Sequence, residues 1–184
     1  MNFPFDAIKV TEVACLFIRR EGGSMNVMKL VKLVYLLDRL SIARRGIPVV
    51  GGTYFALPNG PITSELLDVV NAGSLGGGTG CRWDEFISDR HGHLVELRAE
   101  ATTDDLAPSE LDLIDEVYAE HGGKDQWGLR DWTHLHCAEW TPLEQGRELI
   151  TVESIAQHVG KGDEDIRYIK EDATEQFFMA ATLR

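Results

Sequence analysis

The sequence is poor in cysteine, in basic residues and in long apolar runs. Its three cysteines, Cys15, Cys81 and Cys137, lie far apart and form no CxxC pair, so reduced thiols are expected rather than a disulfide framework. No apolar run approaches the roughly 18 residues that a membrane-spanning helix needs. The N-terminus has no basic stretch ahead of a continuous apolar one and therefore does not resemble a secretory signal. These absences predict a cytoplasmic protein without a membrane segment.

The charge of the chain is strongly acidic and unevenly distributed. The formal net charge is -12, and sequence-independent binding to nucleic acid needs a basic surface that releases counterions from phosphates. Residues 1–50 hold 8 Lys and Arg against 4 Asp and Glu, whereas residues 51–184 hold 10 against 26. The balance argues against a nucleic-acid partner. An acidic surface can serve solubility alone or can attract a basic protein, and the sequence leaves both interpretations open.

Length and periodicity predict a single domain, residues 1–184, of mainly α (α+β) class. A chain of 184 residues can bury a continuous core without metals or disulfides. Ser109 and Asp112 are expected to form a capping box at the start of one helix. Apolar residues at helical spacing predict helices over residues 6–21, 108–121, 126–140, 151–158 and 165–183.

Shorter segments predict a small β element. Residues 49–50 and 53–57 favour short extended pieces, and Pro61 suits the first turn of a short helix. Residues 81–88 and 93–100 are expected to pair as a β-hairpin. The glycines of residues 73–80 lack the spacing of a phosphate-binding loop and predict a flexible connector instead.

The segment from Asn26 to Gly46 predicts a long helix with apolar residues on nearly every side. Asn26 suits the N-cap, Gly46 suits the C-terminal stop, and Arg44 and Arg45 suit the negative end of the helix dipole. A helix that is apolar all round is buried. We therefore expect a compact helical domain built around this central helix.

A narrow polar stripe interrupts the central helix. At about 100° per residue, one side of the helix carries Lys29, Lys32, Tyr35, Asp38 and Arg39. The stripe is either the solvent-facing edge, with Tyr35 and Asp38 hydrogen-bonded to other elements, or part of a partner-binding surface; the two are not exclusive. The partner-binding interpretation also includes three residues of the nearby turn, Asn59, Gly60 and Pro61.

Neither a catalytic motif nor a metal site stands out. The chain contains no GxSxG, SxxK or HExxH pattern. His134, His136 and Cys137 are close in sequence, but residues two apart on a helix point to different sides, so the two histidines cannot share an ion. The sequence predicts a binding protein with no enzyme activity, no metal and no cofactor.

Two segments resemble the Panacea (SocA-like) antitoxin domain family. The first, KLVKLVYLLDRLSIARRGIPVVGGTYFALPNGPITSELLDVV, is similar to a K-L-x-K-L-x-Y helix that ends at Gly and precedes an A-x-x-x-GP turn; its matching residues are Lys29, Leu30, Lys32, Leu33, Tyr35, Gly46, Phe55, Ala56, Gly60 and Pro61. The second, LDLIDEVYAEHGGKDQWGLRDWTHLHCAEW, is similar to the closing pattern of the family; its counterparts are Leu113, Val117, Leu129, Thr133, His134 and Trp140. The resemblance covers residues 7–140 and leaves 150–184 as C-terminal helices. Two departures are Leu57, where the family usually has Trp, and Asn59, where an aromatic residue or Lys is common.

The resemblance implies the antitoxin of a type II toxin–antitoxin pair, which neutralises a co-encoded protein toxin by direct binding. It also implies, for some members, delivery of the toxin to a cellular protease as a proteolytic adaptor. The alternative is a phage- or prophage-associated accessory protein that binds another protein without a toxin. Thr133, His134 and Trp140 are interpreted as a core cluster whose polar atoms bond to the backbone, with partner contact as the alternative. A homo-oligomer stays open.

Overall fold

The computed structural model describes residues 2–72 and 82–182. More than half of the chain is helical, which confirms the expected mainly α (α+β) class. The connector predicted at residues 73–80, Cys81 and the last residue of the predicted C-terminal helix, Leu183, lie outside the described residues.

The described residues form eight helices and five short strands. The helices are α1 (Ala7–Arg20), α2 (Val27–Arg45), α3 (Ser64–Ala72), α4 (Trp83–Phe86), α5 (Pro108–His121), α6 (Gln126–His136), α7 (Val152–His158) and α8 (Asp163–Thr182). The strands are β1 (Ser24–Asn26), β2 (Tyr54–Leu57), β3 (Gly60–Thr63), β4 (Leu94–Glu96) and β5 (Glu148–Ile150). One antiparallel sheet pairs β1 with β4, and a second has the order β3-β2-β5.

Helix α2 lies at the centre of the core, as its sequence predicts. The side chain of Asn26 accepts hydrogen bonds from the amides of Met28 and Lys29, and Gly46 ends the helix at a φ of 79°. The helix packs against α1, α5, α6, α7 and β3. Leu33 and Leu37 are 0% exposed. The packing on several sides explains why apolar residues surround the whole helix.

Pro61 lies in a strand, so the prediction that it begins a helix is wrong. It is the second residue of β3 and pairs with Ala56 of β2. Helix α3 begins three residues later, at Ser64. Because β3 is at the edge of its sheet, a residue without an amide proton is tolerated there. The Pro and the preceding Gly60 therefore belong to a tight β2–β3 hairpin.

The predicted hairpin over residues 81–100 is wrong in its first arm. Residues 83–86 form the short helix α4, which places Trp83 and Ile87 on the core side with 2% and 0% exposure. The end of this arm does pair with the second one, through antiparallel bridges between Ile87 and Leu97 and between His91 and Leu94, while strand β4 also pairs with β1, far away in sequence. An alternating pattern and a single helical turn are difficult to distinguish over so few residues.

Two smaller predictions also need correction, and two strands have no counterpart in the sequence analysis. The N-cap of α5 is Ala107, whose amide donates to Glu110 Oε2 at 2.9 Å, so the capping box predicted from Ser109 to Asp112 is wrong. Helix α6 ends at His136, before Trp140. Strands β1 and β5 are three residues long and were not predicted.

Candidate functional site

Residues that carry the two family-like segments meet on one side of α2. A Cβ atom built on Gly60 would lie 2.5 Å from Lys32 Nζ, 2.8 Å from Thr133 Oγ1 and 3.4 Å from His134 Cδ2. The backbone of the β2–β3 turn therefore rests directly on side chains of α2 and α6. We call Lys32, Gly60, Thr133 and His134 the Lys32 cluster.

Trp140 holds the β2–β3 turn against α6. Its Nε1 donates a 2.8 Å hydrogen bond to the carbonyl of Leu57, at the start of the turn. Its ring stacks on His134 with 3.8 Å between centroids and 5° between planes. Gly60 at the end of the turn has a φ of 101°, a conformation that disfavours any residue with a side chain. Trp140 and Gly60 together bring the turn close to Lys32.

Lys32 is a deeply buried cation. Its side chain is 1% exposed, and Nζ has no hydrogen-bond partner among the described residues. Burial lowers the pKa of Lys32 to about 8, with a smaller lowering by the charge of Arg130 and an opposing effect of Cys137. His134 Nε2 is also buried without a partner in the described part of the chain, and burial together with Lys32 lowers its pKa.

Lys29, one turn earlier on α2, is buried in a different way. It is 4% exposed, but its Nζ donates to Glu21 Oε1 at 2.5 Å and to the carbonyl of Gly122 at 2.7 Å. The two lysines are similarly buried, but only Lys29 has hydrogen-bond acceptors for its Nζ among the described residues. The comparison shows that α2 can bury a lysine whose acceptors are in place, whereas Lys32 Nζ has no acceptor in the described part of the chain.

Tyr35 and Arg39 meet at one carboxylate that the sequence analysis missed. Tyr35 Oη and Arg39 Nε both donate to Glu139 Oε1 at 2.7 Å, and Arg39 Nη2 also donates to the carbonyl of His136 at 3.2 Å. Burial and the nearby Glu139 raise the pKa of Tyr35 well above its ordinary value. No local pattern marks Glu139, because its partners are about 100 residues away in the chain.

Asp38 organises the segment between α2 and β2. Its carboxylate accepts from the amides of Val49, Val50 and Gly51 at 2.8, 2.8 and 3.0 Å, and from Tyr54 Oη at 2.9 Å. Burial raises the pKa of Asp38 to about 6, and these four donors oppose that rise. Residues 49–51 are therefore held by a side chain rather than in the extended strand that their composition favours.

The polar stripe of α2 lies mostly inside the protein. The interpretation of the stripe as a solvent-facing edge is wrong, because four of its members are at most 4% exposed: Lys29, Lys32, Tyr35 and Asp38. The hydrogen bonds expected of Tyr35 and Asp38 to other elements are present. Of the other residues predicted to bind a partner, Gly60 and Pro61 are buried, Arg39 is half-buried and Asn59 is exposed. Partner binding by these residues stays a prediction.

The aromatic end of α6 separates its two histidines. His134 stacks on Trp140, whereas His136 stacks on Trp132 with 4.3 Å between centroids, so the two rings face different neighbours as helix geometry predicts. Thr133 Oγ1 donates to the carbonyl of Arg130 at 2.9 Å, a backbone bond of the kind expected for a core cluster. Within residues 2–72 and 82–182, no group of three or more His, Cys, Asp or Glu is placed to hold a metal.

Comparison with protein families identifies the class to which this helical fold and its Lys32 cluster belong. The model of the antitoxin SocA-like Panacea domain matches residues 30–141, which is more than half of the chain. The protein therefore belongs to the SocA-like Panacea antitoxin family, and the matched region contains the whole Lys32 cluster. Comparison with curated proteins and with solved structures finds no match. In the described residues, no helix is both long and apolar enough to cross a bilayer.

Proposed function

We propose that this protein is the antitoxin of a type II toxin–antitoxin pair and neutralises a co-encoded protein toxin by direct binding. The observation that carries the proposal is the family match, which spans both segments that converge on the Lys32 cluster. The toxin is the proposed partner, and both proteins meet in the cytoplasm, where they are made. The whole chain acts as one binding domain.

The proposed interface lies where the β2–β3 turn meets α6. Asn59 is exposed at the tip of the turn, and Leu135, next to His134, is 80% exposed. Arg39 is half-buried beside the end of α6. Leu135 is the most exposed of the large apolar side chains of the described residues, and we take it as the apolar contact of the proposed interface. We call Arg39, Asn59 and Leu135 the turn surface.

Growth rescue tests the proposal directly. The neighbouring reading frames are expressed one by one, alone and together with this protein. We expect one of them to arrest growth alone and to be tolerated with the antitoxin. Normal growth on expressing every neighbour alone contradicts the proposal and favours the second candidate, a prophage-associated accessory protein that binds a partner without a toxin.

A surface variant tests where the toxin binds. Leu135→Arg places a long charged side chain in the proposed interface without emptying a core site, and Tyr168→Arg is the matched control on α8, where Tyr168 is 57% exposed. We expect Leu135→Arg to lose rescue and Tyr168→Arg to keep it, with both proteins melting near the wild-type temperature. Full rescue by folded Leu135→Arg removes the turn surface from the interface. Charge reversal at Lys32 or truncation of Tyr35 does not test this surface, because both side chains are buried and such changes would disrupt the core.

Delivery of the toxin to a cellular protease is a separate part of the proposal. An adaptor shortens the half-life of its bound cargo, whereas simple neutralisation leaves the cargo intact in the complex. We therefore expect a pulse-chase of the tagged toxin to give a shorter half-life when this protein is co-expressed. An unchanged half-life with full growth rescue restricts the function to neutralisation by binding.

A further inference from the structure

Lys32 differs from the cations around it. Arg39 pairs with Glu139 at 2.7 Å, Arg130 pairs with Asp131 at 2.7 Å, and Lys29 pairs with Glu21 at 2.5 Å. Lys32 has no carboxylate partner among the described residues, although it is the most deeply buried of the four. An isolated buried ammonium destabilises a fold, whereas an apolar side chain of the same length would fill the space without that cost. Its position therefore suits a ligand that supplies the missing negative charge.

The groups around Lys32 Nζ define the chemistry of that ligand. Lys32 Nζ donates and carries a positive charge, and His134 Nε2 is a second buried nitrogen without a partner in the described chain. Thr133 Oγ1 uses its proton on the carbonyl of Arg130 and keeps its place beside Lys32. Two nitrogens suit the two oxygens of a carboxylate.

We propose that the Lys32 cluster is a binding site for a carboxylate, which enters when the β2–β3 turn moves away from α6. The turn covers the site: Gly60 lies over Nζ, and Asn59 beside it is exposed. Its hold on α6 includes the Trp140 hydrogen bond to Leu57 and the stack on His134. The carboxylate comes either from an acidic side chain or C-terminus of a bound protein or from a free small acid. Only the first source rests on the proposed antitoxin function.

Thermal melting of the purified protein with sodium formate tests the site without any partner. Sodium chloride at equal ionic strength is the reference, and Lys32→Met and Lys29→Met are the paired variants. We expect formate to raise the wild-type melting temperature by about 1 °C at its Kd and further above it. Lys29→Met melts lower because it removes the cation beside Glu21 and the donor to the carbonyl of Gly122, but it keeps the formate increment. Lys32→Met loses the increment.

A second variant keeps the test decisive if Lys32→Met does not fold. His134→Phe retains a ring to stack on Trp140 but removes Nε2, and we expect it to weaken the formate response several-fold. Equal effects of formate and chloride on the wild type, or an equal formate response in the wild type and Lys32→Met, overturn the proposal.

Growth rescue then distinguishes the two sources of the carboxylate. Loss of rescue by folded Lys32→Met assigns the carboxylate to the toxin, whereas full rescue together with a lost formate response assigns it to a free small acid. Because the formate measurement needs no toxin, it can succeed where the antitoxin function fails, and the two failures are distinguishable.

Discussion

The hydroxyl of Tyr35 and the guanidinium of Arg39 share Glu139 Oε1, each at 2.7 Å. The carboxylate joins successive turns of α2 to the segment that follows α6 and ends in Trp140. Because Trp140 in turn bonds to Leu57, this shared oxygen helps to fix the chain that holds the β2–β3 turn.

Replacing Glu139 should destabilise the protein. Glu139→Gln leaves Arg39, which is 18% exposed, without its counter-charge, and we expect the free energy of unfolding to fall by about 3 kcal/mol. Glu116→Gln is the matched control, because the Arg44–Glu116 pair is exposed and should contribute about 0–1 kcal/mol. Urea unfolding measures both. Equal losses in the two variants would show that burial does not matter here.

Asp38 should be among the most costly polar residues to remove. Asp38→Ala leaves three amides and the Tyr54 hydroxyl without their acceptor, and we expect a loss of at least about 4 kcal/mol from an unpaired-group cost of about 1–3 kcal/mol each. Tyr54→Phe removes one of these donors and should cost about 1 kcal/mol. A melting curve for Asp38→Ala close to that of Tyr54→Phe would contradict this assignment.

Gly60 should tolerate no side chain, for two separable reasons. Gly60→Ala strains a backbone with φ of 101° and drives Cβ into Lys32 Nζ and Thr133 Oγ1, whereas Gly146→Ala strains a φ of 82° with nothing within 4 Å. We expect about 1–2 kcal/mol for Gly146→Ala and an additional 1–3 kcal/mol or so for Gly60→Ala. Chemical denaturation of both variants measures the difference, and equal losses would leave only the backbone strain.

Lys32 should give the protein a distinctive alkaline pH dependence. Its pKa is about 8 in the folded state against an ordinary 10.5. Below pH 8 the lysine is protonated in both the folded and the unfolded state, whereas between about pH 8 and 10.5 it is protonated only in the unfolded state. The contribution of Lys32 to the free energy of unfolding therefore rises by about 3 kcal/mol in total as the pH increases from about 8 to 10.5. Lys32→Met removes the rise and should be more stable than the wild type near neutral pH.

The measurement for Lys32 is the difference in unfolding free energy between the wild type and Lys32→Met from pH 7 to 10. The groups that face Lys32 are Arg130, His134 and Cys137, and burial raises the pKa of the Cys137 thiol to about 12, above this window. Parallel pH curves for the two proteins would mean that Lys32 titrates as an exposed lysine.

The leucines of α2 should behave as core residues. Leu33→Ala or Leu37→Ala empties a fully buried site, and we expect each to cost about 2–5 kcal/mol. Leu135→Ala on α6 is the control, because a side chain that is 80% exposed should contribute within about 0.5 kcal/mol. An unchanged melting temperature for Leu33→Ala would remove α2 from the core.

Helices with strong periodicity and clear caps were predictable, and short strands were not. Asn26 and Gly46 mark both ends of α2 in the sequence, because caps act within a few residues of the helix. Strands β1 and β5 pair with partners far along the chain, and three residues carry too little pattern to reveal them. Residues 83–86 form a single helical turn, which is too short for its periodicity to be distinguished from that of a strand.

The sequence by itself determined the helical class, the buried position of α2, the polar character of its stripe and the family, since these depend on local periodicity and on residue order. Only the tertiary structure decided what the stripe does. Lys29 and Lys32 are equivalent in the sequence, three residues apart on one helix, yet Glu21 and Gly122 satisfy the first while the second meets the backbone of Gly60. Hydrogen bonding in a core depends on groups brought together from distant parts of the chain, and no local pattern encodes which buried lysine receives its acceptors.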